Sequence, residues 1–337
     1  MDDSMVSLSD LSDMMGSTSP SFIETKLVGS DASVGAQQND PNLVNPWGVS
    51  HGPGGPLWIS DNVTGLASID SVNAGGVTLN SIGISPVTIA PPSPGAGPAS
   101  PTGQVFNTFQ GGGAFTLSDS HPAVFLFATE DGTISGWNPQ AGTQSIIAVN
   151  ESTDPADGSE QLGLSAVYKG LAIGESDHGP TLYAANFRHG TVDMFDQNFN
   201  STGSFTDPNV PTGFAPFNVQ VLHHKLFVTY AMQNDVKHDD VAGPGNGFVD
   251  EFDLNGNLIA RVASGGPLDS PWGLAIAPKS FGSLAGDLLV GNFGDGTINA
   301  YDLKDDMFVG KLLGQDGQPI TIGVCGRCNP AEAAIAG

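Results

Sequence analysis

Basic residues are scarce in this chain. Ten lysines and arginines stand against 35 aspartates and glutamates over 337 residues, a formal charge of −25. Nucleic acids and anionic membranes are held by rows of lysine and arginine, so both are poor partners here, while cations and cationic ligands are attracted. Charged residues of both signs make up only 13%, well short of the dense acidic coat of a halophile. Cysteine is almost missing: Cys325 and Cys328 are the two, both near the end, so no disulfide framework is indicated. No apolar run is long enough to cross a bilayer as a helix, so membrane insertion is not expected. The start, Met1-Asp2-Asp3-Ser4-Met5, lacks the basic and apolar regions of a secretory signal. Helical periodicity is absent as well, and that turns attention to what recurs instead.

What recurs is a short, turn-rich unit. Residues 270 to 310 read Ser270-Pro271-Trp272-Gly273-Leu274, then Leu288-Leu289-Val290-Gly291-Asn292, then Gly296-Thr297-Ile298-Asn299, then Met307-Phe308-Val309. Four strand-like runs separated by Gly, Asp and Asn are the pattern of one four-stranded propeller blade. The opening motif returns as Pro46-Trp47-Gly48, Pro101-Thr102-Gly103, Tyr168-Lys169-Gly170 and Pro216-Phe217-Asn218. The second strand returns as Leu57 to Asp61, Leu126 to Glu130, Leu182 to Asn186 and Leu226 to Tyr230. The turn into the third strand returns at Gly132-Thr133, Gly190-Thr191 and Gly247-Phe248. With 46 Gly and 24 Pro serving regularly spaced turns, the composition suits tight hairpins and not disorder.

In chain order, residues 1 to 20 read as a disordered leader rich in Ser, Asp and Met. Residues 21 to 322 read as the propeller, with blades starting near 46, 101, 168, 215 and 270. Phe22 to Val28 alternates as a strand able to close the ring from the N-terminal side. Residues 91 to 100 form a stiff Pro-rich connection. Residues 323 to 337 break the pattern.

Antiparallel pairing places the end of each second strand beside the start of the first. Asp61, Glu130, Asn186, Tyr230 and Asn292 are thus expected to ring one face. Two readings stand for this ring. Asp and Asn can cap the turn that follows, a need that repeats in every blade. Alternatively Asp61, Glu130, Asn186 and Asn292 can offer oxygens to one divalent cation such as Ca, Mg or Zn. Blade four departs from the repeat: residues 231 to 246 insert where others have a short turn, over the same face. A loop beyond the fold's need is a functional candidate. Tyr230, Lys237 and Asp240 are the candidate ligand contacts, and His238 with Asp239 can hold a metal or act as base and carboxylate. The plain alternative is a solvated acidic loop.

The runs from Asp40 to Gly48, Ala128 to Asn138, His238 to Asp250 and Val290 to Asn299 resemble an uncharacterised family of mostly bacterial, usually exported propellers. Its wider kin resemble NHL-repeat proteins, streptogramin lyases and gluconolactonases, which are six-bladed. The resemblance implies an extracellular or periplasmic location and carries no settled activity. The expected fold is therefore all-β, a six-bladed propeller of four-stranded antiparallel blades with the sixth incomplete. The expected function is a monomeric, non-catalytic binding propeller for a small-molecule or cationic ligand, with a divalent cation as its one candidate cofactor. The alternative is a divalent-metal-dependent, lactonase-like hydrolase or lyase. A sixth opening motif is due near residue 326, but the chain instead reads Val324-Cys325-Gly326-Arg327-Cys328. One Cys-x-x-Cys is half a zinc site. A shifted reading frame near codon 323 explains the tail better, and predicts an exposed face on blade five with Phe22 to Val28 lacking partners.

Overall fold

The computed structural model describes residues 20–79, 86–93, 95–152 and 165–322. These residues form five blade-like β-sheets in succession and two short two-stranded parallel sheets, Ser21–Phe22 with Leu313–Gly314 and Val28–Gly29 with Gln38–Asn39. Blade one comprises Pro46–His51, Leu57–Asp61 and Leu66–Asn73, the last paired to both Gly76–Thr78 and Val87–Thr88. Blade two comprises Pro101–Phe106, Phe125–Thr129, Thr133–Trp137 and Ile146–Asn150, and blade three Tyr168–Ser176, Gly179–Asn186, Thr191–Asp196 and Ser201–Phe205. Blade four comprises Phe214–Leu222, Lys225–Met232, Phe248–Phe252 and Leu258–Ser264, and blade five Pro271–Ile276, Leu288–Asn292, Ile298–Asp302 and Met307–Lys311. In every blade successive strands pair antiparallel.

The opening motif has a steric cause. Inner strands of neighbouring blades run so close that a side chain at the third motif position would collide with the next blade. A Cβ on Gly48 would lie 2.6 Å from the Thr102 carbonyl oxygen, and on Gly103 or Gly170 it would strike Leu171 or Asn218 closer still. A Cβ on Gly273 would meet only Gly291, at 3.6 Å. Blade five thus has no inner strand pressed against it on that side, and aromatic rings make the join. Trp47 of blade one meets Trp272 at 5.5 Å and Phe293 at 4.7 Å.

Apolar side chains fill the spaces between consecutive blades, because alternate residues of each strand face opposite neighbours. Trp58, Ile69, Phe127 and Trp137 fill the space between blades one and two. Leu126, Ile134, Leu171 and Leu182 do so between two and three. Tyr183, Val192, Val219 and Phe252 follow between three and four, and Phe227, Val249, Leu288 and Val290 between four and five.

Five blades, and not the expected six, is a correction. A blade needs its own set of paired strands, and the described residues supply five such sets. The sixth came from the resemblance and from repeat spacing carried past Ile322, into residues 323–337. Those residues, with Cys325, Cys328 and the proposed frameshift, lie outside the described part, as does the leader to residue 19. The face of blade five turned from blade four is covered. Ser21–Phe22 pairs in parallel with Leu313–Gly314, and Phe22 packs on Phe281 at 4.7 Å, beside Leu289, Ile298 and Ala300.

Candidate functional site

The strand pairing sets the second-strand ends beside the first-strand starts. Pro46 faces Asp61, Tyr168 faces Asn186, Pro216 faces Tyr230 and Pro271 faces Asn292 across their ladders. Glu130 follows the same rule one residue past its strand, donating its backbone N–H to the Ser100 carbonyl at 2.9 Å. We call this the upper face.

At its centre the second motif position reads Trp47, Thr102, Lys169, Phe217 and Trp272. Four rings, Trp47, Phe217, Trp272 and Phe293, contact one another at 4.7 to 5.9 Å, and Phe187 joins through Phe217 at 5.2 Å. Lys169 rises through this aromatic floor. Its ammonium lies 5.1 Å from the Trp47 ring centre, and its own carbonyl accepts the Trp272 indole N–H at 3.0 Å. A buried ammonium requires a partner, and Lys169 has two. It donates to Glu130 in a short ion pair and lies 3.4 Å from Asp239 Oδ1. Asn62 Nδ2 donates to the other Glu130 oxygen at 3.0 Å.

Asp239 comes from the blade-four insertion. The insertion is tied to the fold at several points, although Asp235, Val236 and Lys237 at its tip are exposed. Gly243 N–H donates to Asp269 Oδ1 at 2.7 Å, Val241 N–H to the Met232 carbonyl at 2.8 Å, and Asn234 Oδ1 accepts from His238 N–H at 3.0 Å. His238 Nδ1 stands 2.8 Å from Asp239 Oδ1. That bond, with the Lys169 charge behind it, holds the Asp239 carboxyl down at about 2. A neutral imidazole donating from Nδ1 keeps Nε2 as its lone-pair nitrogen. One ligand atom each from Glu130, His238 and Asp239 lie within 4.8 Å of one another. Asp131 and Asp240 flank the cluster, and burial raises the pKa of both.

The other ring members are engaged locally. Asn186 donates to Asp193 at 2.8 Å and accepts from His189 N–H at 3.3 Å. Asn292 donates to the Pro267 carbonyl at 2.8 Å and to Asp295 at 3.0 Å. Asp61 is fully buried and accepts from the Ser68 hydroxyl at 2.6 Å; burial, helped by the Asp40 and Asp70 charges, pushes its pKa up to about 8. The Tyr230 hydroxyl turns into the packing between blades three and four, accepting from Asp207 N–H at 3.2 Å. Lys237 is exposed in the left-handed region, at φ 56°. Asp240 pairs through its backbone with Gln233. The structure thus unites Glu130 with His238 and Asp239. Sequence reasoning missed Lys169, although a charged residue at a motif position that elsewhere carries Trp, Thr or Phe was a visible signal.

Fold and cluster together define a five-bladed β-propeller with a charged cluster over one end of its axis. Two proteins of Acanthamoeba polyphaga mimivirus are similar along most of the chain. The uncharacterized protein L690 is 32% identical over 305 residues, covering 87% of this chain and 75% of that protein. The uncharacterized protein R648 is 30% identical over 300 residues, covering 85% and 68%. The chain belongs to the family of these viral proteins, which corrects the expectation of a mostly bacterial one. No protein-family model matches the chain. Among solved structures, a nidogen/laminin complex is similar at 11% identity and TM-score 0.48, covering 82% of this chain and 83% of that one. Virginiamycin B lyase from Staphylococcus aureus is similar at 12% identity and TM-score 0.44, covering 83% and 71%.

Proposed function

We propose that the chain is a non-catalytic binding propeller that takes a cation or cationic ligand at the upper face, on Glu130, His238 and Asp239. The carrying observation is that ligand atoms from blade two and the blade-four insertion converge within 4.8 Å. Two carboxylates and one ammonium leave the cluster one negative charge in surplus, and the chain's overall charge draws cations towards it. One imidazole nitrogen with carboxylate oxygens suits Zn or Mn better than Ca, which prefers oxygen alone. Lys169 competes with such an ion for Glu130.

Calorimetric titration with Zn²⁺, Mn²⁺ and Ca²⁺ tests this. Binding is expected to weaken at least tenfold in Asp239→Asn and to tighten in Lys169→Met, where Glu130 is released. Absence of binding at millimolar metal, or indifference to both substitutions, refutes the reading.

The 2.8 Å bond between His238 and Asp239 also favours a second reading, a metal-dependent lactonase-like hydrolase or lyase with His238 as base. That reading requires lactone opening or elimination that disappears in His238→Ala, and its failure leaves the binding role intact.

A further inference from the structure

Beneath the aromatic floor lies a second feature that the upper-face cluster does not use. The inner strands enclose a central cavity of about 780 Å³. Its closed end is formed by Trp47 and Trp272, and it runs to the opposite face, where the first hairpins of the blades turn. The wall is mixed, with the apolar Val49, Val105, Leu171 and Leu274 beside the polar Ser50 and Asn218. Neither lysine nor arginine lines it. The one carboxylate that does is Glu175, exposed at the mouth, with His51 and His224 also lining the cavity there. The half-buried Gln220 lines the wall and makes no hydrogen bond through its side chain among the described residues.

We propose that this cavity binds an amphiphilic amine: an apolar or aromatic body in the channel and an ammonium at the mouth beside Glu175. Three observations carry the choice. The volume falls within the roughly 300–1,000 Å³ range of small-molecule sites. Trp and aliphatic side chains accept an apolar body, and the free Gln220 amide accepts one polar group on it. Glu175 is the one carboxylate at the mouth and the protein is strongly acidic, so a cationic end is attracted and an anionic end repelled. The site is separate from the upper-face cluster, with the Trp47 and Trp272 rings lying between.

Three dansyl probes of one ring system separate the elements: dansylcadaverine with a terminal ammonium, neutral dansylamide, and anionic dansylglycine. Binding is read as increased dansyl emission and as energy transfer from tryptophan. Dansylcadaverine is expected to bind most tightly and dansylglycine least. Glu175→Gln should weaken dansylcadaverine by roughly two- to fivefold, the scale of an exposed ion pair, and leave dansylamide unchanged. Gln220→Trp, which fills the channel, should abolish binding of both, whereas His238→Ala on the upper face should change neither. Equal affinity for the three probes overturns the ligand class. Undiminished binding to a folded Gln220→Trp protein, or no binding by the wild type at millimolar probe, overturns the site. If Gln220→Trp does not fold, Leu274→Phe narrows the same channel and is judged in the same way.

Discussion

Replacing Lys169 by methionine removes the charge that joins the upper face. The side chain of Lys169 is 2% exposed and that of Glu130 13%, so their pair is effectively buried, while Asp239 is 60% exposed. Stripping one partner from a buried pair strands the other charge, at a cost of about 3–5 kcal/mol. The exposed Asp239 contact adds at most about 1 kcal/mol, because solvent screens it. Methionine keeps the packing against Trp47 and Phe187, so lost apolar contact contributes little. The expected loss is about 3 kcal/mol, which lowers the urea midpoint by roughly 1 M or more at ordinary slopes. One further result identifies the cause. Adding Glu130→Gln should recover most of the loss, since the amide oxygen still accepts from Asn62. Urea unfolding of both variants at neutral pH, followed by tryptophan fluorescence, measures this. If the double variant is no more stable than the single one, Lys169 acts through packing and the electrostatic account fails.

Asp61 should make stability fall with pH: its folded pKa of about 8 lies above the unfolded value, so the native state holds a proton that the unfolded chain releases between roughly pH 4 and 8. Asp61→Asn is expected to flatten that slope and to stabilise the protein at pH 8, as seen in urea melts across the range; an unchanged slope would place the titration elsewhere. Phe22→Ala removes a ring tilted against Phe281 at 4.7 Å over blade five and should cost about 1–3 kcal/mol, less than a fully buried phenylalanine. A wild-type urea midpoint for that variant would mean that the N-terminal segment does not cover this face.

The blades were legible because two constraints leave marks in every repeat. Close approach of inner strands demands Gly at positions such as 48, 103 and 170, and the turn into the third strand demands a left-handed residue, as at Gly132 with φ 81° and Gly296 with φ 71°. The five blade starts near 46, 101, 168, 215 and 270 were legible too, but not how the ring closes. Nothing in a repeat states how many neighbours close the ring, and here the join depends on Trp47 meeting Trp272 and Phe293, residues far apart in the chain. The site was half legible for the same reason. Glu130 stood out by its strand-end position, and His238 and Asp239 by lying in an insertion. Their meeting depends on Lys169, whose role follows from burial among aromatic rings and not from any spacing along the sequence. Asn186 and Asn292 share the repeat position of Glu130, yet their amides serve the turns of their own blades.

The upper-face cluster is tested most directly by crystals soaked in Mn²⁺ and examined by anomalous scattering. The account predicts a single strong peak within coordination distance of Glu130, His238 and Asp239, lost in Asp239→Asn crystals. Occupied manganese elsewhere, or none at millimolar concentration with this cluster accessible to solvent, would contradict it.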